Sequence, residues 1–261
     1  MGENRALVFR CAVTTTQGMN MAGILIIGGA SGLGGEIAAD FARSGDGVLL
    51  VDQGAAPAGL APGVEYLALD LGAPETGAAA AGAAAERFGG VDTLVVAASA
   101  MDSAPVAQWT AAMWDRASAV NLRLPFLAVQ AALPWLCASA NASVTFVSST
   151  ATMRGQPHTH AYQATKAGIA GLVRSLAAEL GPEGIRVNAV LAGWLDTPLT
   201  RGYWAGVENA AEERARLDGR LPLRRHGTAA EAAALVRFLA SGSASYLTGA
   251  MMPVDGGDTA V

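Results

Sequence analysis

The stretch that most restricts the fold runs from residue 24 to residue 42. Ile24-Leu25-Ile26-Ile27 is a short apolar run, Gly28-Gly29-Ala30-Ser31-Gly32-Leu33-Gly34-Gly35 follows at once, and Ile37-Ala38-Ala39-Asp40-Phe41-Ala42 has helical spacing. A brief apolar run closed by glycine suits a strand covered on both faces, as in a parallel sheet. Glycine lets the chain turn sharply and lets backbone approach a pyrophosphate, whose charge is favoured at the N-terminus of the helix that follows. Strand, glycine-rich turn and helix in that order form a dinucleotide-binding context. A plain glycine-rich loop is the other reading.

The same alternation continues. Val48-Leu49-Leu50-Val51 reads as a second strand with Asp52 at its end, and Tyr66-Leu67-Ala68-Leu69 as a third, closed by Asp70-Leu71. The alanine-rich span 73–88 reads as a helix. Thr93-Leu94-Val95-Val96 is a fourth strand, leading into Ala97-Ala98-Ser99. Helices are expected near Trp109–Asn121 and from Pro125 towards Ala138, then a fifth strand, Ser143–Val147, delivering Ser148 and Ser149. A helix around Tyr162 runs to about Leu180, where Gly181-Pro182 stops it, and Arg186–Val190 is a sixth strand. Alternating strands and helices without internal repeats predict an α/β fold: a Rossmann-like, doubly wound parallel sheet in three layers. Ligands of such sheets bind at the carboxyl ends of the strands. Residues 22–261 fit one catalytic domain, whereas residues 1–21 lack periodicity and read as a tail outside the core, with Met19 and Met21 as alternative starts.

Asp52 stands where a dinucleotide fold sets an acid against the adenosine ribose. Its carboxylate would repel a 2′-phosphate; residues 28–35 hold no Lys or Arg and Gln53 is neutral, which favours NAD over NADP. A solvated strand-end acid is the alternative.

A net charge of −5 offers no attraction to nucleic acid or an anionic membrane. The uncharged spans 11–35 and 124–153 are broken by glycines, prolines or amides, and neither is a continuous apolar run of ~20 residues. The N-terminus does not read as a signal peptide. Cys11 and Cys137 have no metal or redox spacing; the pair implies no disulfide framework and suits a reducing, cytoplasmic setting. His158 and His160 lack partners spaced for zinc.

Tyr162 and Lys166 are four residues apart in a helical stretch, which puts them on one face one turn apart. A phenol has a pKa of ~10, and a neighbouring ammonium favours the phenolate. The pair is suited to acid/base work on an alcohol or carbonyl, although such pairs are also ordinary surface neighbours.

Taken together, residues 22–257 resemble the short-chain dehydrogenase/reductase family in its single-domain form. Gly28, Gly32 and Gly34 match its glycine motif, with Ile27 where threonine is usual, and Asp70 with Leu71 matches its adenine-site aspartate. Asn121, Ser149, Tyr162 and Lys166 match its catalytic positions, Ser149 lying thirteen residues before Tyr162. Ala192-Gly193 stands for its Pro-Gly, and Thr197 for the threonine that meets the carboxamide. Tyr246-Leu247-Thr248-Gly249 and Val254-Asp255-Gly256-Gly257 match its C-terminal segment. The family's Asn-Asn-Ala-Gly is replaced by Val96-Ala97-Ala98-Ser99, which puts local rigidity and adenosine-side packing in question while removing no proton-transfer group.

The resemblance implies hydride transfer between C4 of a nicotinamide and a secondary alcohol or ketone. Tyr162 would be the general acid/base, Lys166 would lower its pKa and hold the ribose, Ser149 would hold the substrate oxygen, and Asn121 would anchor a water reaching Lys166. Gly28, Ser31, Gly32, Leu33, Gly34, Asp52, Asp70, Leu71, Ala97, Gly193, Leu195 and Thr197 would line the cofactor site with Tyr162 and Lys166. Ser148 competes with Ser149, since adjacent strand residues face opposite ways. Substrate selection is expected from Met101, from Met153 and Arg154, and from a mobile lid over 194–225 carrying Trp194, Tyr203 and Trp204. The aromatic content suggests an apolar or cyclic substrate, or else packing of the lid or a subunit contact; Arg154 is a carboxylate partner or a solvated loop residue. The rival function is a non-catalytic NAD-binding sensor. A lyase or epimerase needs a larger C-terminal domain than this chain supplies. The family usually assembles as a homotetramer, with a dimer next.

Overall fold

The computed structural model describes residue 11 and residues 22–261. The expected tail therefore lies outside the described residues except at Cys11. Seven parallel strands form one sheet in the order β3-β2-β1-β4-β5-β6-β7. They are β1 (Gly23–Ile27), β2 (Gly47–Asp52), β3 (Val64–Ala68), β4 (Thr93–Val96), β5 (Ser143–Ser149), β6 (Arg186–Ala192) and β7 (Met251–Val254).

Alternate side chains of the central strands go to opposite layers, as the pleat requires. Leu25 and Ile27 join Leu49, Leu94 and Val144 in one core, completed by α2 (Thr76–Phe88), α4 (Leu124–Ala138) and α5 (His160–Leu180). Ile24 and Ile26 join Val48, Val95 and Val190 in the other, beneath α1 (Leu33–Arg43) and α8 (Ala229–Ala240). Burial of both faces explains why the strands read as unbroken apolar runs.

Some bounds differ from expectation. The third strand starts at Val64 and ends at Ala68, and the sixth continues to Ala192. The helix expected to reach Asn121 is α3 (Ala111–Ser118), followed by a π turn over Ala119–Arg123 that runs straight into α4. The resulting run, Ala111–Ala138, is long and apolar enough by length and composition to cross a membrane. Here it packs into the αβα sandwich: a Cβ on Gly77 of α2 would sit 2.9 Å from the Leu127–Ala128 backbone, so the α2–α4 contact needs glycine.

Cys11 and Cys137 are joined by a disulfide, against the expectation from their count. A pair 126 residues apart has no sequence signature; only the fold brings the Cα atoms to 5.5 Å. The cysteines therefore give no argument for a reducing compartment.

The expected lid contains two helices, α6 (Pro198–Ala205) and α7 (Ala210–Arg220). Only Leu217 is buried in them, against nine residues of α5.

Candidate active site

A cavity of about 880 Å³ opens at the carboxyl ends of β1, β2, β4, β5 and β6. Its lower wall is the glycine turn. Gly28 and Gly29 have φ of 87° and 74°, which glycine alone adopts without strain. Gly29, Ser31, Gly32 and Leu33 line the cavity, whereas Gly28 and Gly34 lie behind it. A Cβ on Gly34 would stand 2.0 Å from the Gly28 carbonyl oxygen and one on Gly28 2.3 Å from Ala98 Cα. These two glycines hold turn, helix and β4 together from behind the lining.

Helix α1 begins at Gly32 without a side-chain cap, so its first N–H groups point to a site that favours an anion. Asp52 is fixed beside it: its two carboxylate oxygens accept from the N–H of Ala30 and of Gln53, both at 2.8 Å. Asp70, Leu71 and Ala97 line the same end; Asp70 accepts from the Gly72 N–H at 2.8 Å. Gly193, Leu195 and Thr197 line the other end, Thr197 as the N-cap of α6. A groove running from a strand-end acid past an uncapped helix N-terminus fits a dinucleotide.

The proton-transfer candidates meet between these ends. Ser149, Tyr162 and Lys166 all line the cavity. Burial raises the Tyr162 phenol above its ordinary pKa, while the Ser149 and Ser99 hydroxyls pull it back down. Burial also lowers Lys166 to about 8. The Lys166 Nζ donates to the carbonyls of Val147 at 2.9 Å and Ala98 at 3.1 Å. The Lys166 ammonium is turned to two carbonyls, and desolvation is the largest influence on the phenol.

Ser149 Oγ accepts from the Ala151 N–H at 3.1 Å, leaving its own proton for another acceptor. Ser148 Oγ instead donates to the Lys166 carbonyl at 2.9 Å. Asn121 is buried in the π turn and does not line the cavity. Its Oδ1 accepts from Ala100 N at 2.7 Å, and its Nδ2 donates to Ala100 O at 2.9 Å and Thr165 Oγ1 at 3.1 Å. Both Nδ2 protons of the side-chain amide are thus taken by protein groups, while Oδ1 keeps a second lone pair.

On the substrate side Met101, Arg154, Trp194, Tyr203 and Trp204 line the cavity. Met153 does not: it is 57% exposed at the end of a short 3₁₀ turn. The rings of Trp194, Tyr203 and Trp204 lie 5.2–5.5 Å apart centre to centre. His226 stands against both tryptophans and its Nδ1 meets Asp218 of α7 at 2.6 Å. Among lining residues, sequence reasoning missed Ser99, Asp258 and the α7 positions Arg216 and Arg220. Ser99 was visible as a departure from a motif; the others carried no signal. No cluster suited to a metal ion occurs among the described residues.

A family model described as enoyl-(acyl carrier protein) reductase matches residues 28–259. The chain is 36% identical to a "Probable galactose dehydrogenase" of Rhizobium meliloti, over 90% of this chain and 94% of that one. It is also 36% identical to trans-4-hydroxycyclohexanecarboxylate dehydrogenase of Sinomonas cyclohexanicum, over 90% of this chain and 92% of that one. The crystal structure of levodione reductase superposes with a TM-score of 0.84 at 31% identity, covering 93% of this chain and all of that one. With fold, motif order and relatives in agreement over most of its length, the chain belongs to the short-chain dehydrogenase/reductase family.

Proposed function

We propose that the protein is an NAD-dependent oxidoreductase that interconverts a secondary alcohol and its ketone, with Tyr162 as general acid/base. The observation that carries this reading is the convergence of Ser149, Tyr162 and Lys166 on one cavity at the carboxyl ends of the strands. The bound nicotinamide supplies or accepts the hydride. In oxidation, the Tyr162 oxygen takes the hydroxyl proton of the substrate; in reduction it returns one. Ser149, whose oxygen is already held by Ala151 N, directs its proton towards the substrate oxygen. Lys166 holds Ala98 and Val147 in register with the phenol.

The uncapped start of α1 and the fixed Asp52 would hold the dinucleotide. The same acid disfavours a 2′-phosphate, which supports NAD over NADP. The three-ring wall and the hydroxycyclohexanecarboxylate dehydrogenase among the relatives favour a cyclic secondary alcohol. Arg154 is not the carboxylate partner in this reading, because Asp258 already occupies it. The assembly expected is a homotetramer, readable by light scattering.

The test is NADH formation with a panel of cyclic secondary alcohols, each run with NAD and with NADP. Turnover with NAD, lost in Tyr162→Phe, is the expected result. Retention of near-wild-type turnover in Tyr162→Phe would remove the tyrosine from its role. Tight NAD binding without turnover across the panel would favour a sensor.

A further inference from the structure

Ser99 ends the segment Val96-Ala97-Ala98-Ser99, where the family pattern has glycine. A serine there is not needed to make the turn, so its hydroxyl calls for another explanation. The backbone on both sides of it is tied to residues of the site. Lys166 Nζ donates to the Ala98 carbonyl at 3.1 Å. The Asn121 amide holds Ala100 twice, accepting from its N–H at 2.7 Å and donating to its carbonyl at 2.9 Å. Ser99 is held between these clamps and lines the same cavity as Ser149 and Tyr162. Its Oγ is buried and has no partner at hydrogen-bonding geometry. Buried hydroxyls are nearly always partnered, so an unused one facing a site points to a partner that arrives with the reacting state.

We propose that Ser99 is a positioning residue that donates a hydrogen bond to the Tyr162 oxygen when that oxygen carries negative charge. The inference rests on Tyr162 being the proton-transfer group and extends it. A phenolate accepts more hydrogen bonds than a phenol, and donors to the charged form stabilise it. The proton travels only between the substrate oxygen and the Tyr162 oxygen; Ser99 keeps its own and turns its O–H towards the charge. The Ser99 hydroxyl stands near enough to Tyr162 to favour its charged form, but not at the geometry of a hydrogen bond already made.

The surrounding charges leave room for such a neutral donor. Arg154 from the loop after β5 is paired with Asp258, Asp102 after β4 with Arg116 of α3, and Arg216 of α7 with Glu213. Arg220, also on α7, is exposed. Lys166 on the same helix as Tyr162 is turned to two carbonyls.

The test uses Ser99→Ala and, should that variant fail to fold, Ser99→Gly. Two quantities are read: the ultraviolet phenolate titration of Tyr162, isolated by difference against Tyr162→Phe, and the pH profile of kcat for alcohol oxidation with NAD. Loss of the hydroxyl should move both midpoints up together by about half to one pH unit. Midpoints unchanged in both would overturn the proposal. If no alcohol is oxidised, the titration decides alone: an upward shift sustains Ser99 while the dehydrogenase reading falls, and an unchanged titration overturns Ser99.

Discussion

The guanidinium of Arg154 lies 2.9 Å from the carboxylate of Asp258, whose side chain is only 5% exposed. The same guanidinium donates to the carbonyl of Val261 at 3.3 Å, so a loop beside the cavity is tied to the C-terminal segment. Removing the arginine leaves a buried acid without its cation, whereas removing the acid's charge leaves an arginine that reaches water. Arg154→Ala should therefore lose about 1–3 kcal/mol after allowance for solvent screening, and Asp258→Asn under about 1 kcal/mol. Urea unfolding of both variants measures the difference; equal losses would contradict it.

Two glycines of the same turn should respond in opposite ways. A Cβ on Gly34 collides with the Gly28 carbonyl, a backbone atom that cannot step aside. Gly34→Ala should cost about 3 kcal/mol or more. At Gly32 the nearest neighbour of an added Cβ is Pro198 Cδ at 3.4 Å, and the residue lines the cavity. Gly32→Ala should keep the unfolding temperature within a few degrees while weakening the stabilisation produced by added NAD. A thermal-shift assay with and without NAD separates the two.

Lys166 gives a pH dependence with a definite sign. In the folded chain burial brings it to about 8, below the ordinary lysine value of about 10.5. Between those values the unfolded chain binds the extra proton, so this group makes stability rise with pH across that window. Below about 8 both states are charged and the cost of burying the ammonium is fully present. Lys166→Met lacks the group, so the wild type should gain stability relative to it from about pH 8 towards pH 10. Urea midpoints of the two proteins across that range check this, and a wild type that loses stability relative to the variant as pH rises would refute it.

The Cys11–Cys137 bond closes a loop spanning 126 positions. On chain-entropy grounds such a closure stabilises by about 4–5 kcal/mol. Dithiothreitol, or Cys137→Ser, should lower the unfolding midpoint. Intact-mass measurement without reductant should find two hydrogens fewer than in the reduced chain. Free thiols in the freshly purified, unreduced protein would contradict the bond.

What could be read from residues alone follows physical lines. The strands announced themselves because both faces of the sheet are covered, and the turn 28–35 did so because glycine is needed where backbone meets backbone. Tyr162 and Lys166 were recognisable as one helical face, but not that Lys166 would spend its donors on Val147 and Ala98, since those carbonyls come from distant strands. Asn121 was legible as a position and not as a clamp on Ala100. Met153 sits only four residues from Ser149 in sequence, yet the 3₁₀ turn carries it out to solvent. The Arg154–Asp258 and His226–Asp218 pairs join segments with no shared periodicity, so nothing local marked them.

The cavity has one wall that the core fixes and one that it scarcely touches. Ser149, Tyr162 and Lys166 stand on β5 and α5, and Ser99 hangs from clamps made by α5 and the π turn, whereas α6 and α7 bury only Leu217. Such a division lets the two walls evolve at different rates. Residues 198–220 form a cassette that could be exchanged with a relative's to change which molecule is admitted while the proton chemistry behind it stays intact.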